Sequence, residues 1–250
     1  MNDLVFPRVS AASMADDGDA FTFCSTCAFS QACMSEGMDK SSLSSLHVLV
    51  EHVGPLHAGE HVFREGDPFE AIAAVRAGTV KTYVVDSEGR EHVLGFHLPG
   101  EVIGLNAIDG DHYPCNAVAL DTVALCRFSF PKIAVLATRL PGLQKQLFRL
   151  LSRDIGRAAL LAGDWSADQR MAAFLVGLSR RLAARGFSPT RFQLTMARTD
   201  IANYLRLAPE TVSRVLKRFQ QDGLVSVERR ELELLKPEAL DALAAPILRE

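Results

Sequence analysis

The feature that most constrains this chain is a change of hydrophobic period at Pro131. Upstream, from about Leu46 to Phe130, apolar residues come in short β-branched or alternating stretches: His61-Val62-Phe63, Ala71 to Val75, Thr79 to Val85, His92 to Phe96 and Val123 to Phe128. Breaks at Gly66-Asp67-Pro68, Gly78, Ser87-Glu88-Gly89 and Pro99-Gly100 separate them. Short strands divided by turns in this way predict an antiparallel sandwich or barrel. After Pro131 the period is helical for roughly eight turns, to about Ala162. One stripe of that helix is Leu136, Leu140, Leu143, Leu147 and Leu150. A second is Phe148, Leu151 and Ile155, continuing into Ala158, Ala159 and Ala162. Packing on the β-domain satisfies one stripe. The second needs a further apolar surface, and a copy of the same helix is the simplest one; burial of both stripes within one chain is the alternative.

Four zones follow: a cysteine-rich segment at 1–45, a β-domain at 46–130, a long helix at 131–165, and a helical region at 166–250 with a β-like tail around Leu224 to Leu234. The first zone is polar and rich in small residues, and is expected to lack regular structure unless a ligand organises it. Met1 to Ala20 carries Asp3, Asp16, Asp17 and Asp19 and lacks a basic region followed by an apolar run, so it does not read as a secretory signal. No apolar run reaches membrane-spanning length. The expected location is cytoplasmic, where the five cysteines stay reduced and point to metal or thiol chemistry. No nucleophile-base pair or phosphate-cradling loop stands out, which argues against an enzyme.

The net charge of −3 conceals an asymmetry. Met171 to Leu235 holds ten Arg and one Lys against six acidic residues, a net of +5, leaving −8 on the remainder. A basic module on an acidic body suits a polyanion, although a solvated basic surface would look the same.

Phe23 to Met34 places Cys24, Cys27 and Cys33 within ten residues. A two-residue gap lets two thiolates reach one centre, and the five-residue gap brings a third from the same loop. The candidates for a fourth are Cys115 and Cys126. Spacing alone leaves an iron-sulfur cluster, a structural zinc and other thiol chemistry open. A Cys24-Cys27 redox pair fits less well, since no βαβ pattern surrounds it.

Arg198 to Val227 reads as two short helices and a hairpin-like tail. Thr199 or Asp200 is the expected cap of the first helix, Arg206 to Ala208 the turn, Pro209 the start of the second helix and Gly223 its stop. Val212, Val215, Leu216 and Phe219 form its inward stripe. Glu210, Ser213, Arg214 and Lys217 share the opposite face, where a recognition helix carries base-reading groups, and Arg218 lies beside them. A surface helix with solvated charges is the plain alternative. Arg214 is suited to guanine O6 and N7, Glu210 to cytosine N4 and Ser213 to thymine or a bridging water, whereas Lys217 and Arg218 are suited to phosphates.

With these residues in place, nearly the whole chain resembles the Crp/Fnr superfamily and, within it, the oxygen-sensing FNR regulators. The resemblance lies in the region around Gly66-Asp67-Pro68, in Gly95-Phe96-His97-Leu98-Pro99-Gly100-Glu101, and in Glu210-Thr211-Val212-Ser213-Arg214. It implies an α+β fold with an antiparallel β-roll sensor domain of the cyclic-nucleotide-binding type, a dimerisation helix and a C-terminal winged helix-turn-helix. It implies a [4Fe-4S] cluster on Cys24, Cys27 and Cys33. The family's fourth ligand follows an A-L-(E/D)-T phrase, matched by Ala119-Leu120-Asp121-Thr122, and so falls on Cys126 and not on Cys115.

The resemblance further implies a homodimer, for which the second stripe of Phe148, Leu151 and Ile155 is the candidate seam, binding to TTGAT-type inverted repeats without oxygen, RNA polymerase as a partner, and loss of the cluster in oxygen. Cyclic-nucleotide binders of this superfamily carry an Arg followed by Ser or Thr in a phosphate-binding cassette. The corresponding stretch here, Tyr113-Pro114-Cys115-Asn116-Ala117, has no Arg. A zinc-clipped regulator without oxygen sensing, and more distantly a cyclic-nucleotide-responsive one, are the remaining readings.

Overall fold

The computed structural model describes residues 33–36, 38, 40–160 and 163–248. Cys24 and Cys27 lie outside the described residues. The chain divides into two compact units, residues 1–84 with 95–153, and residues 85–94 with 154–250.

Among the described residues, the first helix of this unit is α1 (Lys40–His47), regular structure that the polar composition of this segment did not suggest; Leu46 on its inner face is buried in the core and anchors it. Eight strands follow: β1 (Val50–Leu56), β2 (His61–Phe63), β3 (Ala71–Ala77), β4 (Val80–Val85), β5 (Glu91–His97), β6 (Val102–Ile103), β7 (Asn116–Ala119) and β8 (Val123–Ser129). They make two four-stranded antiparallel sheets, in the orders β1-β8-β3-β6 and β2-β7-β4-β5. β3 shows why its sequence reads as a continuous apolar run, because both of its faces are covered. Ala71, Ala73 and Val75 enter the roll interior, while Ile72 and Ala74 face the layer formed with the helices. Tyr113 fills the interior, stacked on Phe63 at 3.9 Å between centroids, and its hydroxyl donates to the Ala71 carbonyl at 2.5 Å.

The sequence suggested one uninterrupted helix after Pro131; the structure has two, α2 (Phe130–Arg139) and α3 (Pro141–Leu160). The break is Leu140, at φ −121° and ψ 91°. The ring of Pro141 excludes the helical conformation from the residue before it. The first leucine stripe packs as expected: Leu143 and Leu150 are buried and Leu136, Leu140 and Leu147 are half-buried against the same layer.

In the second unit, α4 (Ala167–Ala183) begins with a capping box in which Ser166 and Gln169 satisfy each other's backbone N–H groups. There follow β9 (Arg191–Gln193), α5 (Arg198–Leu205), α6 (Pro209–Gln221), β10 (Val225–Glu228), β11 (Glu231–Leu234) and α7 (Pro237–Ala244). The tail is a three-stranded sheet in the order β10-β11-β9. The expected cap of α5 is corrected: the N-cap is Ala197, with no side-chain cap, and Thr199 and Asp200 lie inside the helix.

The β4-β5 hairpin tip, residues 85–94, belongs to this unit. Asn203 of α5 accepts from the Val93 N–H at 2.7 Å and donates to the Glu91 carbonyl at 2.6 Å. A residue of a neighbouring parallel strand would bond the edge of β5 in the same way.

Candidate nucleic-acid interface and cysteine site

α6 begins at Pro209, whose missing N–H costs nothing at a first helical position, and ends before Gly223, at φ 64°. Val212, Val215, Leu216 and Phe219 are buried, and Glu210, Ser213, Arg214, Lys217 and Arg218 are all exposed. The structure therefore brings the five predicted DNA-contacting side chains out on a helix whose other side is locked into a core. The Ser213 hydroxyl donates to the Pro209 carbonyl at 3.1 Å, and Arg214 Nη2 donates to Thr211 Oγ1 at 3.2 Å. Arg218 is ion-paired with Asp168 of α4, so it stands apart from Lys217. The turn into α6 passes through Arg206, held in the left-handed region at φ 55° with its side chain exposed.

Of the predicted cysteine ligands, Cys33 and Cys126 are described. Cys126 lies on β8, between His52 of β1 and Ala74 of β3. The Ala-Leu-Asp-Thr phrase does local work here, because Asp121 Oδ1 accepts from the Thr79 N–H at 2.7 Å and shapes the turn into β8. Cys126 points to the helix side of the sheet and is half-buried against the layer that includes Met34, Ile72, Ala74 and Phe128. Cys33 is half-buried against the same layer. Two soft sulfurs on one layer fit a thiolate-held metal centre as far as half of the proposed donor set. Among the described residues alone no group of three metal-binding side chains is assembled; Cys24 and Cys27 would have to complete it.

His52 Nδ1 stands 3.8 Å from Cys126 Sγ. Burial, then the charges of Arg76 and His47, hold this imidazole below its usual range. Cys115 is different in kind. It is 1% exposed, its sulfur accepts from Asn106 Nδ2 at 3.3 Å, and burial pushes its thiol up.

The predicted seam residues sit on α3. Phe148 is 62% and Ile155 71% exposed, with Leu151 half-buried between them in sequence. The side chains of Ala158 and Ala159, and Ala162 as a whole, lie outside the described residues.

Sequence reasoning missed Gln146, which is 1% exposed. Its Nε2 donates to the Cys33 carbonyl and to Glu36 Oε2, each at 3.0 Å. A signal was present, since Gln146 falls three residues after Leu143 and four before Leu150, inside a stripe that is otherwise leucine. Asn203 and His52 were also missed, and nothing local marks them.

Two domain models match the chain: the Crp-like helix-turn-helix domain at residues 169–243 and the cyclic nucleotide-binding domain at 54–139. With the exposed polar face of α6, they define a DNA-binding transcription regulator. The transcriptional activator protein Anr of Pseudomonas aeruginosa is 44% identical over 224 residues, covering 88% of this chain and 92% of the relative. The fumarate and nitrate reduction regulatory protein of Escherichia coli K12 is 38% identical over 230 residues, covering 91% and 92%. Among solved structures, FixK2 from Bradyrhizobium japonicum matches with a TM-score of 0.70 and 28% identity, over 78% of this chain and 96% of that one. The chain belongs to the Crp/Fnr superfamily, among its FNR and Anr regulators. No helix among the described residues is long and apolar enough to cross a membrane.

Proposed function

We propose that this chain is a cytoplasmic, homodimeric, oxygen-responsive transcription regulator in which Cys24, Cys27, Cys33 and Cys126 hold a [4Fe-4S] cluster. The observation that carries the reading is the placement of Cys126 and Cys33, both half-buried on one layer, while Cys115 is sealed inside the roll. A cluster held by four thiolates supplies an oxygen-labile centre. The chain's own residues do the rest. β8 and the Cys33 turn fix two sulfurs, Phe148, Leu151 and Ile155 of α3 offer an apolar seam, and α6 presents Glu210, Ser213 and Arg214 to base edges and Lys217 to phosphate. In a two-fold dimer the two α6 helices read TTGAT-type half-sites about one helical turn apart. Anaerobic cluster binding favours the dimer through its higher affinity for that state, and oxygen removes the bias. RNA polymerase is the expected partner at activated promoters.

Anaerobic purification tests the reading. The protein is expected to be brown, Cys126→Ala colourless and Cys115→Ala brown. A colourless wild type containing zinc would establish the zinc-clipped reading instead, and a brown Cys126→Ala with a colourless Cys115→Ala would overturn the choice of fourth ligand. A cyclic-nucleotide response finds no support in the cassette stretch, where Tyr113 and Cys115 are buried and no arginine is present.

A further inference from the structure

Gln146 is a polar residue in an apolar place. The stripe in which it lies packs Leu143 and Leu150 against Met34, Ile72 and Phe128, and an amide enters such a layer at a cost unless its hydrogen bonds are met. Half of this one is met. Both partners of Nε2, the Cys33 carbonyl and Glu36 Oε2, belong to a single short turn, residues 33–36, in which the Glu36 N–H donates to the Cys33 carbonyl at 3.2 Å. Oε1 is buried with no hydrogen-bond partner among the described residues, and a buried acceptor in that condition calls for an explanation. Arg153, two turns further along α3, approaches the same Glu36 carboxylate at 3.7 Å.

α3 thus grips the turn that carries Cys33, and does so two residues before Phe148, the first residue of the proposed seam. A methionine in place of Gln146 would fill the same space without the desolvation cost, so packing does not explain the amide. We infer that Gln146 is the positioning residue that couples the Cys33 turn to the dimerisation helix. Its N–H groups hold the turn's carbonyl and carboxylate in register with α3. A thiolate ligand held at Cys33 then becomes a bias on α3 through direct bonds to its turn, the physical link that a coupling free energy between two sites requires.

The inference rests on the proposed cluster and dimer, and its test separates the two. Gln146→Met keeps every thiolate, so the anaerobic protein is expected to be brown with iron content equal to wild type. In the wild type, air should raise the dimer Kd by a factor on the order of 5–150, the usual range for coupled sites. In Gln146→Met that ratio should fall close to one, and Glu36→Ala, which removes one of the two bonds, should be intermediate. A second readout needs no cluster: hydrogen exchange of the Glu36 amide in the metal-free protein should quicken by about tenfold in Gln146→Met, as the turn loses its hold on α3.

A brown Gln146→Met with the wild-type oxygen ratio would overturn the coupling role. A colourless one beside a brown wild type would make Gln146 part of the site's scaffold and overturn it equally. Unchanged Glu36 exchange would show that the amide does not hold the turn. A colourless wild type would sink the cluster reading itself, and the exchange measurement would still decide whether Gln146 grips the turn.

Discussion

α6 and α3 are both amphipathic, and they differ in what stands opposite the buried stripe. On α6 the outer face is Glu210, Ser213, Arg214, Lys217 and Arg218; on α3 it includes Phe148 and Ile155, a phenylalanine and an isoleucine left in water. A polar, cationic outer face loses little by exposure and gains by meeting a polyanion, whereas exposed apolar area of this size gains by being covered. That difference is why the proposed function gives nucleic acid to α6 and a second copy of the chain to α3.

The comparison breaks most readily at Ile155. Ile155→Glu places two facing carboxylates in the proposed seam and should cost on the order of 3–5 kcal/mol of dimer stability. Anaerobic sedimentation should show a monomer, and an unchanged dimer would move the seam elsewhere on the molecule. On α6, Arg214→Ala should cost about 1–3 kcal/mol on the matched half-site and relax the preference at the guanine. Equal weakening on matched and guanine-substituted sites would reduce Arg214 to a phosphate-binding role.

Lys217→Ala should weaken all sequences alike, by less than Arg214→Ala, and lower the salt slope by about one, the share of a single neutralised phosphate; a changed base preference would contradict this. Arg218 sharpens the division. Its pair with Asp168 is solvent-exposed, so Asp168→Ala should change thermal stability by less than about 1 kcal/mol, while freeing Arg218 for phosphate and tightening binding at low salt. The smallest effect is expected at Arg206. Replacing a left-handed arginine by glycine should raise stability by about 0.5–1 kcal/mol on denaturant unfolding. A loss of stability there would mean that the side chain has a structural role.

How much could be read in advance follows from the range of the interactions involved. α6 was legible almost to the residue, because Pro209, Gly223 and the stripe from Val212 to Phe219 are signals within a few turns of one another. Strands β2, β3, β4, β5 and β8 were legible as short apolar stretches, and their pairing was not. β1, β6 and β7 escaped notice. β1 carries Glu51, His52 and the turn-forming Gly54-Pro55 pair, and β7 is a four-residue strand just after Pro114. The break at Leu140 was readable from Pro141, but the leucine stripe running through it masked the signal.

At the candidate sites the division is the same. Sequence alone determined that a basic module follows an acidic body, that α6 turns its charges outward, that a second apolar stripe is left over, and that cysteines cluster near the start; each is a property of composition or of spacings below about eight residues, where helix geometry converts number into direction. Only the tertiary structure placed Cys126 on the same layer as Cys33 and sealed Cys115 inside the roll, the Ala119-Leu120-Asp121-Thr122 phrase having pointed to Cys126 only through the family resemblance. It alone placed residues 85–94 with the helix-turn-helix, through an amide at Asn203 more than a hundred residues away, and set Gln146 against a turn 113 positions earlier. Contacts of that separation are chosen by which surfaces can be buried together with their polar groups satisfied. That choice is made by the whole fold at once and leaves no periodic trace in the chain.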